Sequence, residues 1–454
     1  MMRLSEAAFA LGVEHRGDDV TFTRVCTDSR AVMAGDLFVA LRGERFDGHA
    51  YCAAAQSLGA VAALVDGMGV ALAPAAMPLI AVNDTLKGLG QLAHAWRSRF
   101  DLPLVALTGS SGKTTVKEML AAILDVVTPG AVLATRGNLN NEIGVPLMLL
   151  ELNASHRCAV IEMGMNHAGE ISRLTRVARP DVALVNNAGH AHVGNLGSVE
   201  AVAHAKGEIF EGLARNGTAV INADDAYAAL WHKLSSKNNL LTFGLECKAD
   251  VTARYTLGAS GSEIEFQTVV GSAKATLAAP GVHNVRNALA ACASALAMDV
   301  ALADIAQGLA NYHGVKGRLQ YKAGLGGAVI IDDTYNANPE SVRAAIDVLA
   351  RLPGERHLVL GDMGELGDES AACHREAGAH ARTAGINGLS VLGEASQEAA
   401  AAFGSGARHF ETPELLVEHL KPRLISGVTV LVKGSRFMRM ERVVSALLAV
   451  GGVQ

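Results

Sequence analysis

The chain has 454 residues, half of them hydrophobic and 19% charged; this excludes a disordered chain and gives a prior of about three domains. Its net charge is −6 with no block of lysine or arginine, which argues against a nucleic-acid partner. The six cysteines form no Cys-x-x-Cys pair, so neither a zinc site nor a disulfide framework is indicated.

In chain order, the N-terminus Met1-Met2-Arg3-Leu4-Ser5-Glu6 places an acid where a signal peptide needs an apolar stretch. Short strands are predicted at 36–40 and 62–65. The longest apolar region, 70–82, is interrupted by Pro74 and Pro78 and is too short to span a bilayer. A cytoplasmic protein without membrane insertion is expected. From 104 to about 315, β-like runs at 104–107, 159–162, 182–185 and 219–221 alternate with helical patterns, as in a parallel sheet covered by helices. Gly314 and Gly317 mark a boundary. Beyond it, runs at 328–331, 358–360, 390–392 and 428–432 predict a smaller doubly wound unit. The fold class expected is α/β with three domains, 1–102, 103–315 and 316–454.

The most specific motif is Thr108-Gly109-Ser110-Ser111-Gly112-Lys113-Thr114-Thr115. It follows the run 104–107 and opens a helical pattern with Val116, Met119, Leu120, Ile123, Leu124 and Val127 on one face. Strand, glycine loop and helix together form a phosphate cradle. Gly109 and Gly112 let backbone N–H groups close on phosphate oxygens, and the helix N-terminus adds partial positive charge. Lys113 can reach the outer phosphates and the Thr114 hydroxyl can ligate Mg²⁺. The loop has two residues between its glycines rather than the usual four.

Other groups cluster at strand ends, where parallel sheets carry their chemistry. Glu162 ends one strand and suits a hard cation, or is a solvated strand-end acid. His190 and His192 follow the strand at 182–185, as metal ligands or as loop residues. A helix is predicted over 199–213, and Lys206 falls on its apolar face. A buried lysine needs a partner or a changed charge state, unless it snorkels out or pairs with a phosphate. His283, Asn284 and Asn287 can read an adenine edge, with helix capping by Asn284 as the alternative. Arg318 can reach across a domain cleft to a phosphate. The run Asp333-Thr334-Tyr335-Asn336-Ala337-Asn338-Pro339 is a ligand-recognition loop or a helix cap.

Taken together these residues resemble the Mur ligases, ATP-dependent amide-forming enzymes of peptidoglycan synthesis. The resemblance also rests on Thr27-Asp28-Ser29-Arg30, 35–40, Gly43-Glu44-Arg45-Phe46-Asp47-Gly48-His49, 138–144, Glu162-Met163-Gly164, His192, Ala205-Lys206-Gly207-Glu208, Gly361-Asp362-Met363 and Lys433-Gly434-Ser435. It covers essentially the whole chain, and the short phosphate loop is typical of the family.

The resemblance implies a UDP-binding N-terminal domain, a central ATPase domain and a Rossmann-like C-terminal domain. It implies ATP and Mg²⁺ as cofactors, with UDP-N-acetylmuramoyl-tripeptide and D-alanyl-D-alanine as substrates, and a monomer. ATP would phosphorylate the tripeptide carboxylate, and the dipeptide amine would attack the acyl phosphate. Gly109 to Thr115, with His283, Asn284, Asn287, Arg318 and Asp333, would bind ATP. Thr114, Glu162 and His192 would hold magnesium, joined by Lys206 as a carbamate formed with CO₂. Lys113, Lys206, His192 and Arg318 would be the catalytic set. Ser29 and Arg30 would meet the UDP moiety, and Asn138, Asn140 and Asn141 the muramoyl-peptide. Tyr335, Asn336 and Asn338 would place the dipeptide. The Asp-Asn-Pro-Arg or Asp-Asp-Pro-Arg motif of the ligase that adds the third peptide residue does not occur. Folylpolyglutamate synthetases share the ATP machinery but not this N-terminal region. A catalytically silent UDP-sugar-binding regulator would be expected to have lost Lys113, Glu162 or Lys206, and a phosphate-loop GTPase would need an Asn-Lys-x-Asp motif, which is not found.

Overall fold

A computed structural model describes residues 1–44 and 46–449. Arg45, part of the 43–49 motif, lies outside the described residues. The central sheet has nine strands, in the order Gly271–Leu277, Ser262–Thr268, Val251–Leu257, Asn239–Phe243, Thr218–Asn222, Val182–Val185, Leu104–Thr108, Cys158–Glu162, Val132–Ala134. The strands from Val132–Ala134 to Val251–Leu257 pair in parallel. Leu104 and Ala106 enter one core and Val105 and Leu107 the other, so both faces are covered. That is why these strands read as unbroken apolar runs.

The strands 251–277 form an antiparallel meander at the sheet edge, which the expected all-parallel pattern does not include. Ser262, Ile264 and Phe266 are buried while their neighbours face outward, the period-two pattern of a one-sided sheet.

The first unit is built on a five-stranded sheet of His15–Arg16, Leu79–Val82, Ala62–Asp66, Asp36–Val39 and Arg24–Cys26. Its helix Thr85–Arg97 buries Leu89, Leu92 and Ala93 in the same core as Leu104, Ala106, Val145 and Ile171. Trp96 Nε1 donates to the Leu152 carbonyl at 2.9 Å across that seam. The first unit is therefore fused to one face of the central sheet by a shared core.

The last unit is a six-stranded sheet in the order Gln320–Ala323, Val329–Asp333, Val428–Lys433, Glu355–Gly361, Gly388–Leu392, Ala407–Phe410, antiparallel only at the first pair. Ile331, Leu358 and Leu431 pack on one side, Ile330, Val359 and Val430 on the other. Among the described residues, no helix is long and apolar enough to cross a membrane. All six cysteines are free.

Candidate active site

The phosphate loop turns between Leu104–Thr108 and the helix Lys113–Val127. Gly112 caps that helix with φ +80°, a left-handed conformation that a side chain disfavours. A Cβ there would stand 2.3 Å from Asn287 Oδ1 and 2.7 Å from Asn186 Nδ2. On the helix, Val116, Met119, Leu120, Ile123 and Leu124 are buried as expected; Val127 is exposed at the C-terminal end.

Two asparagines that sequence reasoning left without a role hold this loop. Ser111 N–H donates to Asn187 Oδ1 at 2.8 Å, and Asn186 Nδ2 donates to the Ser111 carbonyl at 3.0 Å. Asn186 also donates to Asn287 Oδ1, Asn287 to Asn284 Oδ1, and Asn284 to the Pro280 carbonyl. This buried amide chain uses side-chain groups that were expected to read adenine. Asn284 is not the helix cap either; Gly281 occupies that position. The signal in sequence was the pair Asn186-Asn187 at a strand end, but its partners lie 75 to 101 residues away.

An open cleft of about 1100 Å³ lies over the loop, lined among others by Ser110, Thr115, His283, Arg318, Asp333 and Lys433. Burial, then the charges of Lys433 and Arg286, pushes His283 down to about 4, so the imidazole on this wall is neutral. Residues of the last unit close onto the loop. Arg318 Nη2 donates to Thr114 Oγ1 at 3.1 Å, and its guanidinium lies 4.4 Å from the Tyr335 ring centroid. Asn338 caps the helix Pro339–Ala350 by accepting from Ser341 N–H. Its Nδ2 donates to Ser111 Oγ at 3.0 Å. The amide of Asn338 thus bonds both the helix cap and the phosphate loop. Asn336 Oδ1 accepts from Arg436 N–H at 3.3 Å.

A second group gathers around Lys113, whose Nζ folds back onto the Gly109 carbonyl at 2.6 Å. Its ammonium is pushed down by burial and opposed by Glu162. Asn140 Nδ2 donates to Glu162 Oε1 at 2.8 Å, and Thr135 Oγ1 accepts from Glu162 N–H. Glu162 Oε2 is buried without a hydrogen-bond partner among the described residues. An acceptor-only oxygen held dry in this way fits a cation, and Mg²⁺ is the hard ion an oxygen donor set selects. His192, at φ +69°, places Nδ1 2.7 Å from Glu365 Oε2, outside hydrogen-bonding alignment. Glu365, itself at φ +65°, gave no signal in the sequence. Among the described residues, no three His, Cys, Asp or Glu side chains gather as a metal cluster.

Lys206 is 1% exposed on the helix Val199–Gly207, beside buried Val202 and Ile209. The expected long helix tightens into a 3₁₀ turn, Glu208–Gly212, just beyond it. Burial, reinforced by like-charged Lys113, drives the Lys206 amine well below its ordinary pKa. It does not snorkel to solvent.

The remaining candidates lie elsewhere. Arg30 is exposed and pairs with Asp28 at 2.8 Å, holding that carboxyl at about 2; Ser29 is half-buried beside it. Neither lines the cleft. His49 of the 43–49 motif is fully buried, with Nδ1 2.5 Å from Asp47 and Nε2 accepting from Asp66 N–H. Asn138 is exposed, while Asn141 Oδ1 is occupied by the N–H groups of Ile143 and Gly144.

Three family models match in register with this architecture: the Mur ligase family catalytic domain over 21–97, the Mur ligase middle domain over 107–295, and the Mur ligase glutamate ligase domain over 317–436. The chain belongs to the Mur ligase family. It is 44% identical to the UDP-N-acetylmuramoyl-tripeptide–D-alanyl-D-alanine ligase of Escherichia coli, over 98% of each chain. Among solved structures, MurF from Acinetobacter baumannii superposes with a TM-score of 0.91 at 36% identity, covering 98% of each chain. The Mur ligase MurF from Thermotoga maritima, solved with ADP, gives 0.83 at 29% identity, covering 94% of this chain and 98% of that one.

Proposed function

We propose that this chain joins D-alanyl-D-alanine to UDP-N-acetylmuramoyl-tripeptide with ATP, through an acyl phosphate, forming the UDP-N-acetylmuramoyl-pentapeptide of peptidoglycan synthesis. The observation that carries this reading is the meeting of two units at one loop: Arg318 on Thr114, and Asn338 on Ser111. A nucleotide held there has its outer phosphates between units, where a carboxylate and an amine can be brought together.

Backbone N–H groups from Gly109 to Thr115 cradle the phosphates, and Lys113 swings from the Gly109 carbonyl to the outer ones. Arg318 neutralises charge that develops on the transferred γ-phosphoryl. Asp333 meets the ribose, and His283 presents a neutral ring to the base. The tripeptide carboxylate attacks the γ-phosphorus as ADP leaves. The dipeptide amine then adds to the acyl carbon, and phosphate departs from the tetrahedral intermediate. Tyr335 and Asn336 orient that amine; Asn140 orients Glu162 as well as facing the substrate side. Ser29 and Arg30 contact the UDP moiety.

Thr114, Glu162 and His192 are the residues that would hold Mg²⁺, which supplies charge neutralisation to the phosphates. Lys206, whose amine burial holds well below its ordinary pKa, adds through its Nζ lone pair to the carbon of CO₂. The N–C bond forms, one C=O electron pair moves to oxygen, and nitrogen loses a proton. The product is an anionic carbamate with Lys113 as its charged neighbour, so the two attract. The two glycines Gly314 and Gly317, at φ +87° and +72°, sit where a hinge between units would turn. We read the protein as a cytoplasmic monomer.

The test is ligation with purified protein, ATP, Mg²⁺ and UDP-N-acetylmuramoyl-tripeptide against a panel of amines, read by mass spectrometry. The dipeptide gives pentapeptide, and free D-alanine gives a far slower reaction because it lacks the amide and the spacing of the terminal carboxylate. Equal use of both amines would refute dipeptide specificity.

A further inference from the structure

Lys433 is a buried charge that the proposed mechanism does not use. It ends the strand Val428–Lys433, in register with Asp333 at the end of the neighbouring parallel strand. It is 3% exposed. Its Nζ lies 2.6 Å from Asp333 Oδ2 and donates to the Asn336 carbonyl at 2.9 Å. These bonds occupy two of the ammonium's three donors.

The two partners belong to different tasks. Asp333 lines the nucleotide cleft, and its second oxygen accepts only a long bond, 3.3 Å, from Leu319 N–H. Asn336 sits in the middle of the loop that begins under Arg318 at Tyr335 and ends at Asn338 on the phosphate loop. The same strand end holds that loop twice more. Ser435 Oγ donates to the Ala337 carbonyl at 3.1 Å, and Arg436 N–H donates to Asn336 Oδ1. Those two bonds restrain the loop but do not touch Asp333. One ammonium reaches both.

We infer that Lys433 is a positioning residue that fixes the nucleotide-facing carboxylate Asp333 and the amine-facing loop Tyr335–Asn338 to a single point. The inference rests on the assignment of Asp333 to the nucleotide and of the loop to the dipeptide, made under the proposed function. Its consequence is that the two halves of the reaction share one side chain. Without Lys433, Asp333 is a buried carboxylate that has lost its ion pair and is no longer held in place. The Asn336 carbonyl loses its donor at the same time.

The experiment uses the full chain with Lys433→Met, Lys433→Arg, Asp333→Asn and the double variant Lys433→Met/Asp333→Asn. Affinity for a fluorescent ADP analogue and KM for D-alanyl-D-alanine are measured, with binding of the UDP-substrate and thermal melting as controls. Lys433→Met is expected to weaken both nucleotide affinity and dipeptide KM about tenfold or more, with UDP-substrate binding unchanged. Lys433→Arg retains the charge and recovers part of the nucleotide affinity. The double variant removes the uncompensated charge, so it serves if Lys433→Met does not fold; it should still show the raised dipeptide KM. A loss confined to one of the two ligands overturns the shared-anchor inference. An unchanged nucleotide affinity in Asp333→Asn instead removes the site assignment beneath it.

Discussion

Lys206 is a basic side chain in an apolar setting. Its amine is buried among apolar side chains with Lys113 as its charged neighbour, so as a plain ammonium it opposes folding. Lys206→Met should therefore leave the melting temperature equal or higher while turnover falls about 100-fold or more, the scale of losing one electrostatic contributor. Lys206→Arg should not restore activity, because it restores the wrong charge. A variant that keeps near-normal turnover would show that the amine has no chemical part. His283 supplies a second test with a defined sign. Its folded pKa is lowered to about 4 from an ordinary 6.5. Well above 6.5 the ring is neutral in both states and pH has no effect. As pH falls from 6.5 toward 4, the unfolded chain binds a proton that the folded chain refuses, so stability drops. Between about pH 7 and about pH 5 this contributes roughly 2 kcal/mol of loss in the ligand-free protein. Urea unfolding of His283→Gln should show a shallower decline than the parent; parallel curves would mean the ring is not held neutral.

The phosphate loop depends on the conformation of one glycine. Gly112 must be left-handed to cap its helix, and the space where a Cβ would sit is filled by Asn186 and Asn287. Gly112→Ala should cost about 1–2 kcal/mol for the conformation alone and displace both asparagines, abolishing nucleotide binding. Gly137, at φ +56°, has nothing within 4 Å of its would-be Cβ. Gly137→Ala should carry the conformational cost and keep the nucleotide, which calorimetric titration with ADP would show. Retained affinity in Gly112→Ala would mean the asparagine lattice is not part of the cradle. The same elements explain what the sequence could reveal. Parallel strands buried on both faces, such as Val182–Val185, stand out as apolar runs. The meander 251–277 does not, because one side faces solvent and the alternation is interrupted by turns. The strand–loop–helix at Gly109 to Thr115 is local and legible. The amide chain from Asn186 to Pro280 is not, since each bond in it is made by tertiary packing.

Across the whole molecule, the chemistry depends on two units meeting over one loop. His190 Nδ1 lies 2.6 Å from Glu340 Oε1, Gly194 N–H donates to the Glu365 carbonyl, and Arg318 and Asn338 join the loop itself. Lys206 and Glu162 were legible because a charge stands out in an apolar setting. Glu340, Glu365 and the task of Lys433 were not, because each acquires meaning only from the opposite unit or a neighbouring strand. The first unit's fusion to the central sheet through Leu89 and Leu92 was hidden for the same reason. In the proposed reaction this shared cleft activates a carboxylate as an acyl phosphate before an amine arrives. The direct measurement is oxygen transfer: UDP-N-acetylmuramoyl-tripeptide labelled with ¹⁸O in its terminal carboxylate, turned over with ATP and D-alanyl-D-alanine. The account predicts one labelled oxygen in each inorganic phosphate released; unlabelled phosphate formed alongside pentapeptide would contradict it.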